Sequence, residues 1–417
     1  MSDPKSTDNV AESTRSTLLS LYVPAFILAL GTGIALPAIP VYAKSFDVGF
    51  GVASLVIVMH LAGRALSSIP TGFIIDRFGR RVVILAGPVL TALASFLMAN
   101  AGSFNELLFY RFLGGWAIGM WTMGRVTMVA DSGGNSRGRQ ITAMFSMDNA
   151  GNLVGPVIGG VIASIWDIRA PFIVHGILAL LAVIPSFKII RDLSTQLAGT
   201  KKKESDAAAV EVGSVWRQFL VFNILILFVS YTFVSLTRGT LMGGALNVYA
   251  VYHYDIDAAT VGGMAAIVAA VGIPVTISAG HIMDRFGRKA TIVPGFAALS
   301  AAMVFMAVVA WQGLPFAAFV AALIVVSLTQ SYTGGSMQTL ASDIAPANAR
   351  GKFFGLWNLT GQGGTFISPA AFGFIGEAFG PTAGFTFLAI TSLMASVLVG
   401  FFVSETVKKR QSTPAPA

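Results

Sequence analysis

The chain has 417 residues, 55% of them hydrophobic and only 11% charged, against about 25% charged in an ordinary soluble domain. Its mean hydropathy is +0.75, which leaves too little polar surface to coat a water-soluble body. There is no cysteine, so disulfides and thiolate metal sites are excluded.

Taken from the N-terminus, the first fifteen residues are polar and mixed in charge. The apolar run that follows is too long for a signal-peptide core, so no cleavable leader is expected. A spanning helix needs roughly 20 apolar residues. On that measure the sequence predicts twelve spans, with cores at 18–42, 52–75, 82–102, 105–130, 140–164, 170–188, 218–249, 259–283, 290–310, 316–340, 353–376 and 383–404. The long uncharged run 290–342 is cut in two by WQGLP at Trp311 to Pro315, a Gly/Pro breaker.

The net charge of +8 would suit a nucleic-acid partner only if it were clustered on one face. Instead, with the N-terminus inside, 21 of the 27 Lys and Arg fall in cytoplasmic segments, two (Lys44 and Arg169) fall outside, and four lie within spans. This is a positive-inside distribution, and it predicts that both termini are cytoplasmic. The basic residues orient the chain and imply no nucleic acid.

The sequence repeats itself. GFIIDRFGRR at Gly72 returns as GHIMDRFGRK at Gly280, PVYA at Pro40 as NVYA at Asn247, the Asp131 turn as the Asp343 turn, and GPVIGG at Gly155 as SPAAFG at Ser368. The offsets are 208, 207, 212 and 213. The chain therefore reads as an all-α integral membrane protein of twelve transmembrane helices in two pseudo-symmetric six-helix bundles. The expected division is an N-terminal tail (1–17), a first bundle (18–190), a polar cytoplasmic linker (191–214), a second bundle (215–404) and a C-terminal tail (405–417). Two parallel repeats around a central site are the sequence sign of an alternating-access transporter.

Several residues stand out on physical grounds. Gly79 permits a backbone conformation closed to other residues, and Gly72 shares a face with Asp76, where a small residue lets another helix come close. Gly151, Gly155 and Gly159 line one helix face, a spacing that favours close packing in lipid, and Pro156 favours a kink. Arg111 within the fourth span needs a partner. Asp148, about 14 Å deep in the fifth span, is the single acid expected deep in any span. Burial disfavours its charged form, which makes it a plausible proton carrier. A static pair with Arg111 or Arg64 is the alternative. Arg64, with His60 one turn away, and Arg238 add further in-span cations, whereas Arg125 lies close enough to the cytoplasmic end to snorkel.

GFIIDRFGRR, RFLGGWAIG and GNLVGPVIGG resemble three signature motifs of the major facilitator superfamily, the third resembling its twelve-helix drug–proton antiporters. The resemblance implies that the charged turns act as latches on the cytoplasmic face. Asp76 would face the eleventh span and Arg80 would pair with Asp131. Arg77 belongs to the same turn, and Gly280, Asp284, Gly287, Arg288 and Asp343 repeat the arrangement. It implies that Gly151, Gly155, Pro156, Gly159 and Gly160 pack on the eighth span at a seam between halves, and that Arg111 assists proton coupling. Spans one, four, seven and ten would line a cavity containing Phe26, Trp116, Met120, Tyr231, Asn247, Gln330 and Met337. One departure from the family is the first span, which carries no acid.

No phosphate-cradling GxxxxGK[ST] or His/Glu metal pattern occurs, and neither clustered catalytic residues nor a polar filter suggests an enzyme or a channel. The expected function is a monomeric secondary transporter of the cell inner (plasma) membrane, exchanging protons for small lipophilic or amphipathic compounds without a cofactor. The alternative is an organic-anion carrier that uses Arg64, Arg111 and Arg238 with weak or no proton coupling.

Overall fold

The computed structural model describes residues 22–130, 137–197, 222–346, 350–403 and 405. Among these, every regular element is an α-helix, as a chain in lipid requires when each backbone N–H must be satisfied within its own segment. The helices are α1 (Val23–Ala35), α2 (Ala38–Lys44), α3 (Phe50–Leu66), α4 (Ser68–Phe78), α5 (Arg80–Ala99), α6 (Phe104–Ala130), α7 (Arg137–Ile165) and α8 (Ala170–Leu197). They continue as α9 (Phe222–Gly243), α10 (Ala245–Tyr254), α11 (Ala258–Phe286), α12 (Lys289–Trp311), α13 (Phe316–Tyr332), α14 (Ser336–Ile344), α15 (Arg350–Phe379) and α16 (Pro381–Phe402).

Eight helical stretches among the described residues are long and apolar enough to cross a membrane: Val23–Lys44, Phe50–Phe78, Arg80–Ala99, Ile224–Gly243, Ala258–Met283, Lys289–Trp311, Phe316–Ile344 and Pro381–Phe402. Helices α6, α7, α8 and α15, of 27, 29, 28 and 30 residues, are also long enough by rise per residue. The first two carry internal charge: Arg111 and Arg125 in α6, Asp148 in α7.

Local chemistry explains the breaks. Pro37 separates α1 from α2, and the matching break between α9 and α10 falls at Gly244, with φ +86. Gly335, with φ +73, separates α13 from α14. At the α3–α4 junction the Ser67 hydroxyl donates to the Arg64 carbonyl at 2.8 Å. Helix α8 runs on to Leu197, seven residues into the expected linker, because Leu, Arg and Gln there sustain a helix. The remainder of that linker (198–214), the N-terminal tail and residues 406–417 lie outside the described residues.

The helices group into two compact units. One holds α1 to α8, α10 and α11 as far as Ala266; the other holds α9, α11 from Ile267, and α12 to α16. In the first, α1 packs on α7 and α8, and α5 on α6 and α8. In the second, α9 packs on α15 and α16, and α12 on α13 and α16. The internal repeat is therefore a repeat of packing as well as of letters. Residues 244–266 belong to the second half by sequence but join the first unit in space. Lys44 binds the Val251 carbonyl at 2.9 Å and the Asp255 carboxylate at 2.6 Å, and Phe50 packs edge-on against Tyr249. The first core includes Leu28, Ile84, Trp121 and Met144; the second is aromatic, with Phe296, Phe319, Phe353, Trp357 and Phe385 fully buried.

Candidate substrate and coupling sites

The chemistry of the first unit centres on α6 and α7. Gly87 on α5 makes room for α6, since a Cβ there would lie 2.5 Å from that of Trp121. Trp121 is buried, and one turn later the Arg125 guanidinium stacks 3.5 Å over its ring. Arg125 is 2% exposed and reaches Asp148 through two parallel bonds, Nη1 to Oδ1 at 3.2 Å and Nη2 to Oδ2 at 3.0 Å. The fork matches a carboxylate, and the indole face compensates part of the cost of burying the cation. The Asp148 side chain keeps 20% of its surface.

Two sequence expectations change here. Arg125 does not snorkel, because it is held inside the bundle by the indole and the carboxylate. Asp148 takes Arg125, and neither Arg111 nor Arg64, as its partner. The i, i+4 spacing of Trp121 and Arg125 was the signal that could have revealed it.

Arg111 directs its Nε toward the Val56 carbonyl at 3.4 Å. Arg64 is exposed in the last turn of α3, one turn after a half-buried His60 whose Nδ1 has no hydrogen-bond partner among the described residues. His175, which no motif marked, is buried between the Ser95 hydroxyl at 3.0 Å and Thr32 at 3.5 Å.

In the second unit, Tyr231 of α9 stacks on Trp357 of α15 with ring centroids 3.7 Å apart and planes 7° from parallel. The Trp357 Nε1 donates to Gln338 Oε1 at 2.8 Å. Arg238 donates to the Thr333 carbonyl at 2.7 Å, where α13 gives way to α14; Gln330 is half-buried one turn before that break. Trp357 was absent from the sequence expectations because a lone Trp in an apolar run reads as ordinary packing.

Not every expected cavity residue faces one. Met120 is 3% exposed and Met337 0%, so both are core residues, filling space between helices as flexible thioethers do. Phe26, Trp116 and Asn247 are half-buried, the last on α10 in the first unit.

The glycine stripe also differs. A Cβ on Gly151 would lie 2.6 Å from the Leu30 nitrogen and one on Gly155 2.7 Å from the Gly33 Cα, while Gly159 abuts the Ile34 carbonyl. These three seat α7 on α1. Only the adjacent face reaches α11: a Cβ on Gly160 would lie 2.7 Å from the Ala258 carbonyl, and Gly262 abuts the Pro156 carbonyl. With about 100° between successive residues, one stripe serves one neighbour, and the next residue serves the other.

At the charged turns, Gly79 has φ +80 and Gly287 φ +105, backbone reserved for glycine. Gly72 and Gly280, in contrast, are not points of close approach: a Cβ would meet only Met123 Cε at 3.7 Å in the first case and nothing within 4 Å in the second. Asp76 and Arg77 are exposed and Arg80 half-buried. Arg288 pairs with Asp343, Nε to Oδ2, at 3.1 Å. Asp131 and the Asp284 side chain lie outside the described residues. One participant escaped the sequence reading: Glu405 accepts the backbone N–H groups of Arg288 and Lys289, both at 3.0 Å. Its carboxylate therefore caps the N-terminus of α12, where free amides favour an anion.

Comparison with known proteins agrees with this geometry. The family model for the Major Facilitator Superfamily matches residues 21–369 and 227–417. The quinolone resistance protein NorA of Staphylococcus aureus is 28% identical over 212 residues, 51% of this chain and 54% of that protein, so the match spans about half the length of that relative. An uncharacterized MFS-type transporter of Methanocaldococcus jannaschii is 22% identical over 91% of this chain and 96% of its own. Among solved structures, a D-xylose–proton symporter superposes with a TM-score of 0.70 at 16% identity, covering 95% of this chain and 98% of that one, a likeness of fold. The chain belongs to the Major Facilitator Superfamily and is a multi-pass membrane protein.

Proposed function

We propose that this protein is a secondary active exporter that exchanges protons for small lipophilic or amphipathic compounds by alternating access. In this reading it is a monomer of the inner (plasma) membrane with twelve spans and both termini in the cytoplasm. The observation that carries the proposal is the buried, bidentate Arg125–Asp148 pair with its partly accessible carboxylate. A proton arriving at Asp148 neutralises the acceptor and frees Arg125, which remains stacked on Trp121. Loss of the proton restores the pair. Occupancy of a neighbouring substrate and of the proton thus compete through one charge balance. The turns around Gly79 and Gly287 act as latches on the cytoplasmic face, the second through Arg288, Asp343 and Glu405. The partial similarity to a quinolone resistance protein supports export of drug-like compounds.

A second reading, an organic-anion carrier with weak or no proton coupling, is favoured by Arg111, whose Nε meets only the Val56 carbonyl among the described residues. Substrate addition to the detergent-purified protein in weak buffer, followed with a pH dye, separates the two. Proton release that disappears in Asp148→Asn is the expected result. Binding without release, unchanged in Asp148→Asn, sinks the antiport reading and leaves the anion carrier.

A further inference from the structure

Arg238 is a half-buried cation inside a span, and among the described residues no carboxylate bonds it. Such a residue in a membrane protein is a functional candidate by default. One N–H is committed to the Thr333 carbonyl at 2.7 Å, which holds the guanidinium in place beside the break at Gly335. Its other donors are neither bonded within the unit nor sealed away as buried, unpartnered atoms. A guanidinium has five donors in a fixed fork, so this one is anchored by one limb with the rest available.

Seven residues earlier on α9, two turns along the same face and about 10 Å away, is Tyr231. Its ring is half-exposed and backed by Trp357 at 3.7 Å. Trp357 cannot yield: it is fully buried, its Nε1 is bonded to Gln338, and Phe228 meets its ring edge-on. Gly361, one turn after Trp357 on α15, abuts the hydroxyl end of Tyr231 itself, where a Cβ would lie 2.7 Å from the Tyr231 hydroxyl oxygen. The result is a rigid aromatic face with an anchored cation two turns away and, among the described residues, no acid bonded to either.

We infer that Tyr231, Trp357 and Arg238 form a subsite for amphipathic aryl anions. A fused or linked two-ring aromatic body lies against Tyr231, and its carboxylate takes the open donors of Arg238. The inference rests on the transport reading above and names a substrate class for it. A cation of the same shape meets the uncompensated charge of Arg238 and is disfavoured; a neutral analogue keeps the stacking but forfeits the charge-assisted bonds, which are the stronger kind.

The test is equilibrium dialysis of the full-length protein in detergent against 2-naphthoate, its neutral amide 2-naphthamide, and the cation 2-naphthylmethylammonium. The naphthoate is expected to bind about tenfold more tightly than the amide, as charge-assisted bonds imply, and the cation most weakly. In Arg238→Gln the naphthoate preference is expected to vanish while affinity for the amide stays unchanged. In Tyr231→Leu all three probes weaken together. Arg238→Lys, which keeps the charge, retains part of the preference and stands in if Arg238→Gln does not fold. Equal binding of naphthoate and amide by the unmodified protein overturns the subsite, as does a naphthoate preference that survives in Arg238→Gln. Failure of the coupling reading looks different: naphthoate binds through Arg238 but releases no proton, in Asp148→Asn and the unmodified protein alike.

Discussion

The two halves use different chemistry at equivalent crossings. The repeat offset of 207 carries Gly33 onto Thr240, and the offset of 213 carries Gly155 onto Ser368. In the first half Gly33 and Gly155 meet backbone to backbone: a Cβ on Gly155 would lie 2.7 Å from the Gly33 Cα, and one on Gly33 3.0 Å from the Gly155 Cα. In the second, the Thr240 and Ser368 hydroxyls bond at 2.5 Å. The first crossing is held by close approach. The second keeps close approach at Gly239, which abuts the Thr365 carbonyl, and at Gly364, where a Cβ would lie 2.6 Å from that of Ser235. It adds the hydroxyl contact, so it uses both means available where lipid offers no hydrophobic drive between helices. The offset of 212, that of the Asp131 and Asp343 turns, carries Arg125 onto Met337, and the offset of 213 carries Asp148 onto Gly361. The ion pair therefore belongs to one half alone, and the position of its acid in the other half is the glycine that admits Tyr231. The architecture was duplicated, whereas charge and aromatic surface were divided between the copies.

Replacing Arg125 with the residue of the other half gives the largest expected effect. Arg125→Met leaves the Asp148 side chain without its cation and is expected to cost about 3 kcal/mol, as for a broken buried pair. Arg125→Met combined with Asp148→Gly removes both charges and is expected to recover most of that loss. A double-mutant cycle on detergent melting or denaturant midpoints reads the coupling. Additive losses would mean that the pair contributes no mutual stabilisation.

The crossings come next. Gly155→Ala forces α7 off α1 and is expected to cost about 1–3 kcal/mol. Ser368→Ala, in contrast, leaves the close approach intact and loses the hydroxyl's contacts with the Thr240 side chain, the Thr240 N–H and the Leu236 carbonyl. The last two groups can still pair with each other within α9, so at about 0.6 kcal/mol per interhelical bond on average the smaller loss is expected here. Equal losses in the two variants would erase the distinction between the crossings.

The smallest effect concerns a turn that the repeat also duplicates. Asp47 and Asp255, 208 positions apart, both have positive φ, 55 and 52. The hydrogen bond from Lys44, and then its charge, hold the Asp255 carboxyl below the usual carboxylate range. A lowered value means that the clasp is fully formed above the ordinary Asp range, about 3.9, and is lost as the pH falls below it. The unmodified protein is therefore expected to melt slightly higher than Asp255→Asn at pH 6, with the gap closing toward pH 3. A gap independent of pH would show that the carboxylate charge is not what matters. Asp255 is solvent-exposed, which keeps the effect small.

Much of this was legible in the letters. The apolar runs, the Trp311–Pro315 breaker and the two glycines of positive φ at the charged turns all follow from local chemistry. Arg288 and Asp343 are neighbours in space although 55 residues apart, and the resemblance of the turns to a known motif pointed to them. Arg125 was misread because depth was judged from its distance to a helix end, which says nothing about which way the side chain points. Glu405 was missed because a lone acid after the final apolar run carries no pattern.

The sequence by itself determined where helices form, how the chain repeats and which residues are too costly to bury without purpose, because those depend on composition and spacing within a few turns. The breaks at Pro37, Ser67, Gly244 and Gly335 fall inside stretches it read as continuous spans. Tertiary structure alone decided the partners: Arg125 for Asp148, α1 for the glycine stripe, Trp357 for Tyr231 and the first unit for residues 244–266. Each of these depends on which helix faces share a crossing and how side chains turn within it, and neither is written in the periodicity of a single segment.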